Sequence, residues 1–339
     1  MKMAWVSTLF IILMACNGSS SEPVVSQLPT APQPELLKRI TFGSCNKSDL
    51  PQPLWAPISQ NNPDLWVWLG DIVYGDIGPD PANVMYNHQK NIEGYRKLRE
   101  QTRVIGVWDD HDYGLNNGGK EHKDKVASRD LLFDFLDEPA NSPRRQHEGA
   151  YMNYTFGPEG QQVAVILLDI RWNRDEPGPD GDILGETQWQ WLENILRNSK
   201  AQIHIIGGGI QFLPRDHQYE KWSEFPKAHK RLLDLFAATK APGLVLISGD
   251  RHLGEITRES EGLPYPVYEV TSSGMTHSYD SFEGEPNTRR VGEVFQYLHF
   301  GMIEIDWEGK KLDLQLRDKD NKIVVNKGLT FAEITPSQP

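Results

Sequence analysis

With 339 residues, 38% hydrophobic positions and ten tryptophans, the chain holds enough apolar material for one large globular domain or two modest ones, which excludes general disorder. Its formal net charge of -12 excludes an extensive nucleic-acid footprint, because phosphate backbones are gripped by a basic face. Two cysteines, Cys16 and Cys45, exclude a disulfide framework.

The opening Met1-Lys2-Met3-Ala4-Trp5 leads into an apolar run from Val6 to Ala15, the charged start and short core of an export signal, too short to span a bilayer. The run ends Leu13-Met14-Ala15-Cys16 before a small polar stretch, and it resembles a bacterial lipobox with Cys16 as the lipidated residue. That resemblance implies an exported lipoprotein, held by its lipid on the periplasmic or cell-surface side of a membrane. Residues 17 to 36 are rich in Ser, Pro and Gln and read as a tether. The expected organisation is thus a signal peptide over 1–15, a lipidated flexible tether over 16–36, a folded domain over 37–330 and a tail over 331–339. A lipidated Cys16 leaves Cys45 as the sole free thiol, either a buried structural residue or a ligand.

From Lys38 onward, short apolar runs end in Gly, Asp or Asn clusters. Arg39 to Phe42, Leu65 to Leu69, Val104 to Trp108 and Val163 to Leu168 read as buried strands, and so do Ile203 to Ile206, Leu244 to Ile247, Tyr265 to Thr271 and Gly301 to Asp306. A Glu308-Gly309 turn predicts a C-terminal hairpin reaching Leu316. Between the runs, Tyr86 to Gln101, Lys123 to Leu136, Glu186 to Asn198 and His229 to Thr239 carry apolar residues at helical spacing. The alternation predicts an α/β protein with layered sheets.

Four strand ends carry the chemistry: Gly43-Ser44-Cys45-Asn46, Gly70-Asp71-Ile72-Val73-Tyr74-Gly75-Asp76, Trp108-Asp109-Asp110-His111-Asp112-Tyr113-Gly114, and Ser248-Gly249-Asp250-Arg251-His252. Polar groups that end buried strands project from the carboxyl edge of a sheet, where sites are built. A thiol, a phenol, carboxylates and imidazoles arriving together are a metal-ligand set. Asp250 and His252 sit one apart, so in extended backbone both would point the same way.

These four motifs, in this order, resemble the PhoD-like alkaline phosphatases, a family of calcineurin-like metallophosphoesterases, from about Ile40 to the C-terminal hairpin. The resemblance implies a four-layer α/β/β/α sandwich with a binuclear metal site, its ligands Cys45, Asp71, Tyr74, Asp110, Asp250 and His252, with Asp71 bridging. Thiolate and phenolate favour Fe(III), and the oxygen ligands favour Ca(II) at the partner position; zinc and manganese are alternatives. His111 matches the side chain that contacts the scissile phosphate and protonates the leaving oxygen. Arg251 is read either as a phosphate-binding fork or as a supporting salt bridge. Asp109 either orients His111 or caps the following turn, and Asp112 is either an oxygen ligand or a surface charge. Asn116 and Asn117 are amide ligands or turn formers, with the turn favoured. Gln211 resembles an amide found at this point of PhoD-like sequences, His204 reads as structural, and Glu255 as support.

The expected activity is metal-dependent hydrolysis of a phosphate ester, of the alkaline phosphatase type, by a metal-bridged hydroxide. The alternatives are a phosphodiesterase acting on phospholipid or cell-wall diesters, and a surface lipoprotein that binds metal or phosphate without turnover.

Overall fold

The computed structural model describes Met1 and residues 35–77, 81–279 and 282–337. The expected signal peptide, Cys16 and the tether up to residue 34 lie outside the described residues. Among the described residues, no helix is long and apolar enough to cross a membrane.

The first half of the chain runs β1 (Arg39–Gly43), α1 (Trp55–Gln60), β2 (Leu65–Leu69), α2 (Ala82–Asn91), α3 (Glu93–Gln101), β3 (Arg103–Val107), α4 (Asp110–Tyr113) and α5 (Lys125–Phe135). The second half runs β4 (Met152–Phe156), β5 (Val163–Leu167), α6 (Gly185–Asn198), β6 (Ile203–Gly208), α7 (Pro226–Thr239), β7 (Leu244–Ser248), β8 (Gly254–Glu259), β9 (Val267–Ser272), β10 (His299–Asp306), β11 (Lys311–Asp318) and β12 (Ile323–Thr330).

Two six-stranded sheets result, ordered β12-β11-β10-β1-β2-β3 and β4-β5-β6-β7-β9-β8. Strands β1, β2 and β3 are parallel in the first, as are β5, β6, β7 and β9 in the second. Strands β2, β5 and β7 are buried at every position, which is why their sequences run apolar without alternation. On β2, Trp66 and Trp68 share a parity and pack under Trp55 of α1, with ring centroids 5.2 and 5.5 Å away. Their neighbour Leu69 has the opposite parity and reaches Gly207 on β6, where the two sheets meet. With helices joining the parallel strands, the architecture is the expected α/β/β/α sandwich.

The structure departs from the sequence expectation in a few elements. The helix expected over Tyr86 to Gln101 is two helices broken at Ile92, whose ψ of 121° is not helical. Strands β4, β8 and β12 were not expected. β8 carries Glu255 and Glu259 at buried positions because Arg290 and Arg289 pair with them, so no apolar run marks it. After β11 the hairpin continues into β12, and a 3-10 turn over Phe331–Ile334 follows inside the region expected as tail. Ile334 is buried there, and its carbonyl accepts the Gly243 N–H at 2.7 Å.

Gly70, directly after β2, has φ of 87°, and a side chain there would fall into the backbone of Asp109. This close approach puts the ends of β2 and β3 side by side. In the second sheet, the buried Glu269 of β9 accepts the N–H groups of Phe212 and Leu213 at 2.9 and 2.8 Å and the Ser248 hydroxyl at 2.6 Å. It ties the loop after β6 to β7.

Burial pushes the Glu269 carboxyl up to about 7, against an ordinary value of 4.5, so the folded protein keeps a proton that the unfolded chain releases. Its favourable contribution is complete below pH 4.5 and lost as pH rises toward 7. Glu269→Gln removes that dependence. The variant should gain on the parent by about 3 kcal/mol between pH 4.5 and 8. Urea unfolding of both proteins across this range measures the difference, and a constant offset would contradict the assignment.

Candidate metal centre

The strand ends of both sheets converge on one point. Cys45 follows β1, Asp71 and Tyr74 follow β2, Asp110 and His111 follow β3, and Asp250 and His252 follow β7. Cys45, Asp71, Asp250 and His252 adopt φ values of 60, 49, 67 and 53°. Such left-handed backbone costs a non-glycine residue about 1–3 kcal/mol and survives only where the surroundings enforce it. Here Asn46 N–H donates to the Asp71 carbonyl at 2.7 Å, His252 N–H to Ser273 Oγ at 2.7 Å, and Gly249 N–H to the Gly209 carbonyl at 2.7 Å. The extended backbone expected through Asp250 and His252 is therefore a strained turn. It still brings both side chains to one cavity.

One ligating atom from each of Cys45, Asp71 and His252 lies within 4.8 Å of the others, and the same holds for Asp71, Asp110 and His111. Asp71 belongs to both groups, the position of a bridging carboxylate. The Cys45 thiol is 3.3 Å from Asp71 Oδ2 and 2.9 Å from Ser273 Oγ. The Tyr74 hydroxyl is 3.5 Å from both Asp71 Oδ2 and His252 Nε2. A cavity of about 560 Å³ opens over Asp71, Asp110, His111, Asn116, Asp250 and His252.

Electrostatics tests whether this set fits metal. Burial, then the charges of Cys45, Asp110, Asp109 and Asp112, push the Asp71 carboxyl well above the carboxylate range. Desolvation, with Glu220 and Asp110, raises Asp250 to about 6. Burial also raises the Cys45 thiol and the Tyr74 phenol. Asp71 Oδ1 is buried without a hydrogen-bond partner. Anion-forming groups packed this closely repel one another unless a cation sits among them, so the residues present fit a metal pair.

Around the cluster several expectations need correcting. Asp112 is neither a ligand nor a surface charge: it is buried, and its carboxylate accepts the N–H groups of Ile72 and Val73 and the Tyr86 hydroxyl. Asp109 does not orient His111: it caps α4, as the other reading had it, with its N–H donating to Asp112 Oδ2 at 3.2 Å, and its carboxylate pairs with the buried Arg171 at 2.6 Å. The residue that orients His111 is Asp76, whose Oδ1 accepts from Nδ1 at 2.7 Å. Asn117 is the left-handed turn residue, with φ of 52°, and its N–H donates to Asp110 Oδ2. Arg251 pairs with Glu285 at 2.5 Å and lies 4.1 Å over the Tyr219 ring. Gln211 gives its amide N–H groups to Glu255 and Thr271, and its buried Oε1 has no partner. Glu255 supports this corner through Arg290, and His204 bonds the Pro242 carbonyl as a structural residue.

Asp76 and His277 are the side chains that sequence reasoning passed over. Asp76 stood in the second motif, two residues after Tyr74, its only signal. His277 follows β9, and its Nε2 is 3.0 Å from the Tyr74 hydroxyl. No motif marks it.

Comparison with known proteins agrees with this geometry. The PhoD-like phosphatase family matches residues 41–285, and the chain belongs to that family. Alkaline phosphatase D of Bacillus subtilis (strain 168) is 21% identical over 243 residues, covering 56% of this chain and 41% of that protein. The chain thus spans less than half the length of this relative. Among solved structures, PhoD is similar over 88% of this chain and 69% of its own, with a TM-score of 0.67 at 16% identity. A purple acid phosphatase from yellow lupin (Lupinus luteus) seeds matches over 87% of this chain and 54% of its own, with a TM-score of 0.62 at 10% identity. A Plasmodium protein described as the anchor in the inner membrane complex matches over 90% of both chains, with a TM-score of 0.60 at 13% identity. Such identities establish the metallophosphoesterase-type fold. Chemistry has to be argued from the site.

If Asp71 bridges, Asp71→Asn should reduce bound metal from about two equivalents to below one, whereas Cys45→Ser should cost only one of them. Elemental analysis of the purified proteins decides it, and two equivalents retained by Asp71→Asn would contradict the bridging role.

Proposed function

We propose that this chain is a metal-dependent phosphoric ester hydrolase acting on phosphomonoesters. The observation that carries the reading is His111, fixed by Asp76 at 2.7 Å and placed with a ring nitrogen among the Asp71 and Asp110 oxygens. An imidazole held in this way beside the metal-ligand cluster is placed to act as a general acid on a phosphate ester bound there.

The donor mix supports Fe(III) on the side of Cys45, Tyr74 and His252, and an oxygen-preferring cation such as Ca(II) on the side of Asp110, Asp250 and Asn116. When bound, such a pair supplies Lewis acidity and a water made acidic enough to act as nucleophile. The chain's own residues do the rest. Asp76 holds Nδ1–H of His111, which leaves Nε2 to deliver a proton to the departing alcohol oxygen. Burial opposes the charged imidazole, while the Asp76 hydrogen bond and the Asp110 and Asp76 charges favour it. Arg251 lines the cavity with a buried Nε lacking a partner, a donor available to a phosphoryl oxygen beside its Glu285 pair. Gln211, by contrast, supports Glu255 and Thr271.

The lipobox-like sequence around Cys16 supports export and a lipid anchor at a membrane surface. Metabolic labelling with a radioactive fatty acid should mark the chain, and Cys16→Ala should abolish the label. Unchanged labelling would refute the anchor.

His111→Ala should lower kcat on p-nitrophenyl phosphate by about 10²- to 10⁴-fold, and Asp76→Asn by a smaller factor of roughly 10, with metal content unchanged. Turnover of bis-p-nitrophenyl phosphate alone would favour a diesterase. A metal-loaded protein that turned over neither ester would contradict the hydrolase reading.

A further inference from the structure

Most cationic side chains around the cluster are already committed. Arg171 pairs with Asp109 and Glu220, Arg174 with Glu220, and Arg251 gives Nη2 to Glu285 and keeps only its Nε for a phosphoryl oxygen. Lys221 donates to the Tyr219 carbonyl and lies 3.8 Å from Glu224. Lys47 differs from all of these. Its ammonium lies over the Tyr74 ring, 5.1 Å from the centroid, with no carboxylate or carbonyl partner among the described residues.

The backbone carrying Lys47 is fixed. Its N–H donates to Thr276 Oγ1 at 2.8 Å, and the preceding Asn46 N–H donates to the Asp71 carbonyl. Only the four-carbon side chain is free to adjust. His111 packs on the same Tyr74 ring at 4.1 Å, so this ring is flanked by the leaving-group acid and by an uncommitted ammonium.

A phosphomonoester differs from a diester by a third non-bridging oxygen and a second negative charge. The thiol, phenol and carboxylates of this site are acceptors that repel that oxygen. A compact ammonium with three donors suits it. On the reading that the site hydrolyses phosphoric esters, we infer that Lys47 is the specificity residue that receives the third non-bridging oxygen of a phosphomonoester. Preference for monoesters over diesters then rests on this side chain. A diester carries an alkyl or aryl substituent at that oxygen and draws nothing from the contact.

The test uses the full chain loaded with metal, as wild type, Lys47→Met and Lys47→Arg, against p-nitrophenyl phosphate and bis-p-nitrophenyl phosphate. Binding of inorganic phosphate is followed by calorimetry on the same samples. Lys47→Met should lower kcat/KM for the monoester by about 10- to 100-fold, mainly through KM, and weaken inorganic phosphate by a similar factor, the worth of one charge-assisted hydrogen bond. Diester turnover should stay within about threefold, and Lys47→Arg should restore most of the monoester rate. Equal losses on both esters would overturn the inference, as would a monoester rate and phosphate affinity that do not change. Wild type inert toward both esters would remove the hydrolase reading instead. The phosphate titration would still decide Lys47, because unchanged affinity in Lys47→Met contradicts it without any turnover.

Discussion

Asp71 is the residue on which the rest of the structure turns, because its carboxylate is buried where the thiol of Cys45, the phenol of Tyr74 and the carboxylate of Asp110 all approach it. In water each of these groups would be solvated separately. Inside the protein they share one low-dielectric space, where like charges repel strongly and an unpaired oxygen is costly. Cations reconcile the arrangement, and the same cations are what a phosphoryl group requires. The left-handed backbone at Cys45, Asp71, Asp250 and His252 is the structural counterpart of that electrostatic strain. Both are tolerated because a rigid scaffold holds the strand ends in place.

That scaffold consists of buried polar groups satisfied one by one. Asp112 accepts the backbone N–H groups of Ile72 and Val73 right after Asp71, and so fixes the turn between Asp71 and Tyr74. Asp109 and Glu220 neutralise Arg171, linking the end of β3 to the loop beyond β6. Glu269 ties that loop's start to β7. Ser273, after β9, touches the Cys45 thiol and accepts the His252 N–H, joining the first and last motifs across the two sheets. Each contact is modest alone. Together they hold Cys45, Asp71 and His252, and likewise Asp71, Asp110 and His111, with ligating atoms within 4.8 Å of one another, and leave the cavity above them open.

Much of this was legible in the sequence, for reasons that also explain what was not. Strands β2 and β7 are buried on both faces, so their composition announces them, and glycines beside Asp71 and Asp250 mark where the chain turns to present a carboxylate. β8 is buried too, but its acids are neutralised by Arg289 and Arg290, some thirty residues away, and nothing local reveals that pairing. Asp112 read as ligand or surface because its partners, Ile72, Val73 and Tyr86, are contacts of the fold. Asp76 and His277 act through His111 and Tyr74, and a residue that works through another leaves no pattern of its own. The turn at Asp250 and His252 escaped because two aspartate and histidine side chains in left-handed backbone are improbable until a site imposes it.

The central claim is that Asp71 joins two metal ions, one of which also binds the Cys45 thiolate. Anomalous diffraction from crystals of the metal-loaded protein tests this most directly. Two peaks should flank the Asp71 carboxylate, one of them about 2.3 Å from Cys45 Sγ and near the Tyr74 oxygen, the other beside Asp110 and Asp250. A single peak away from Asp71, or a metal-loaded site in which Cys45 stays a free thiol, would contradict it.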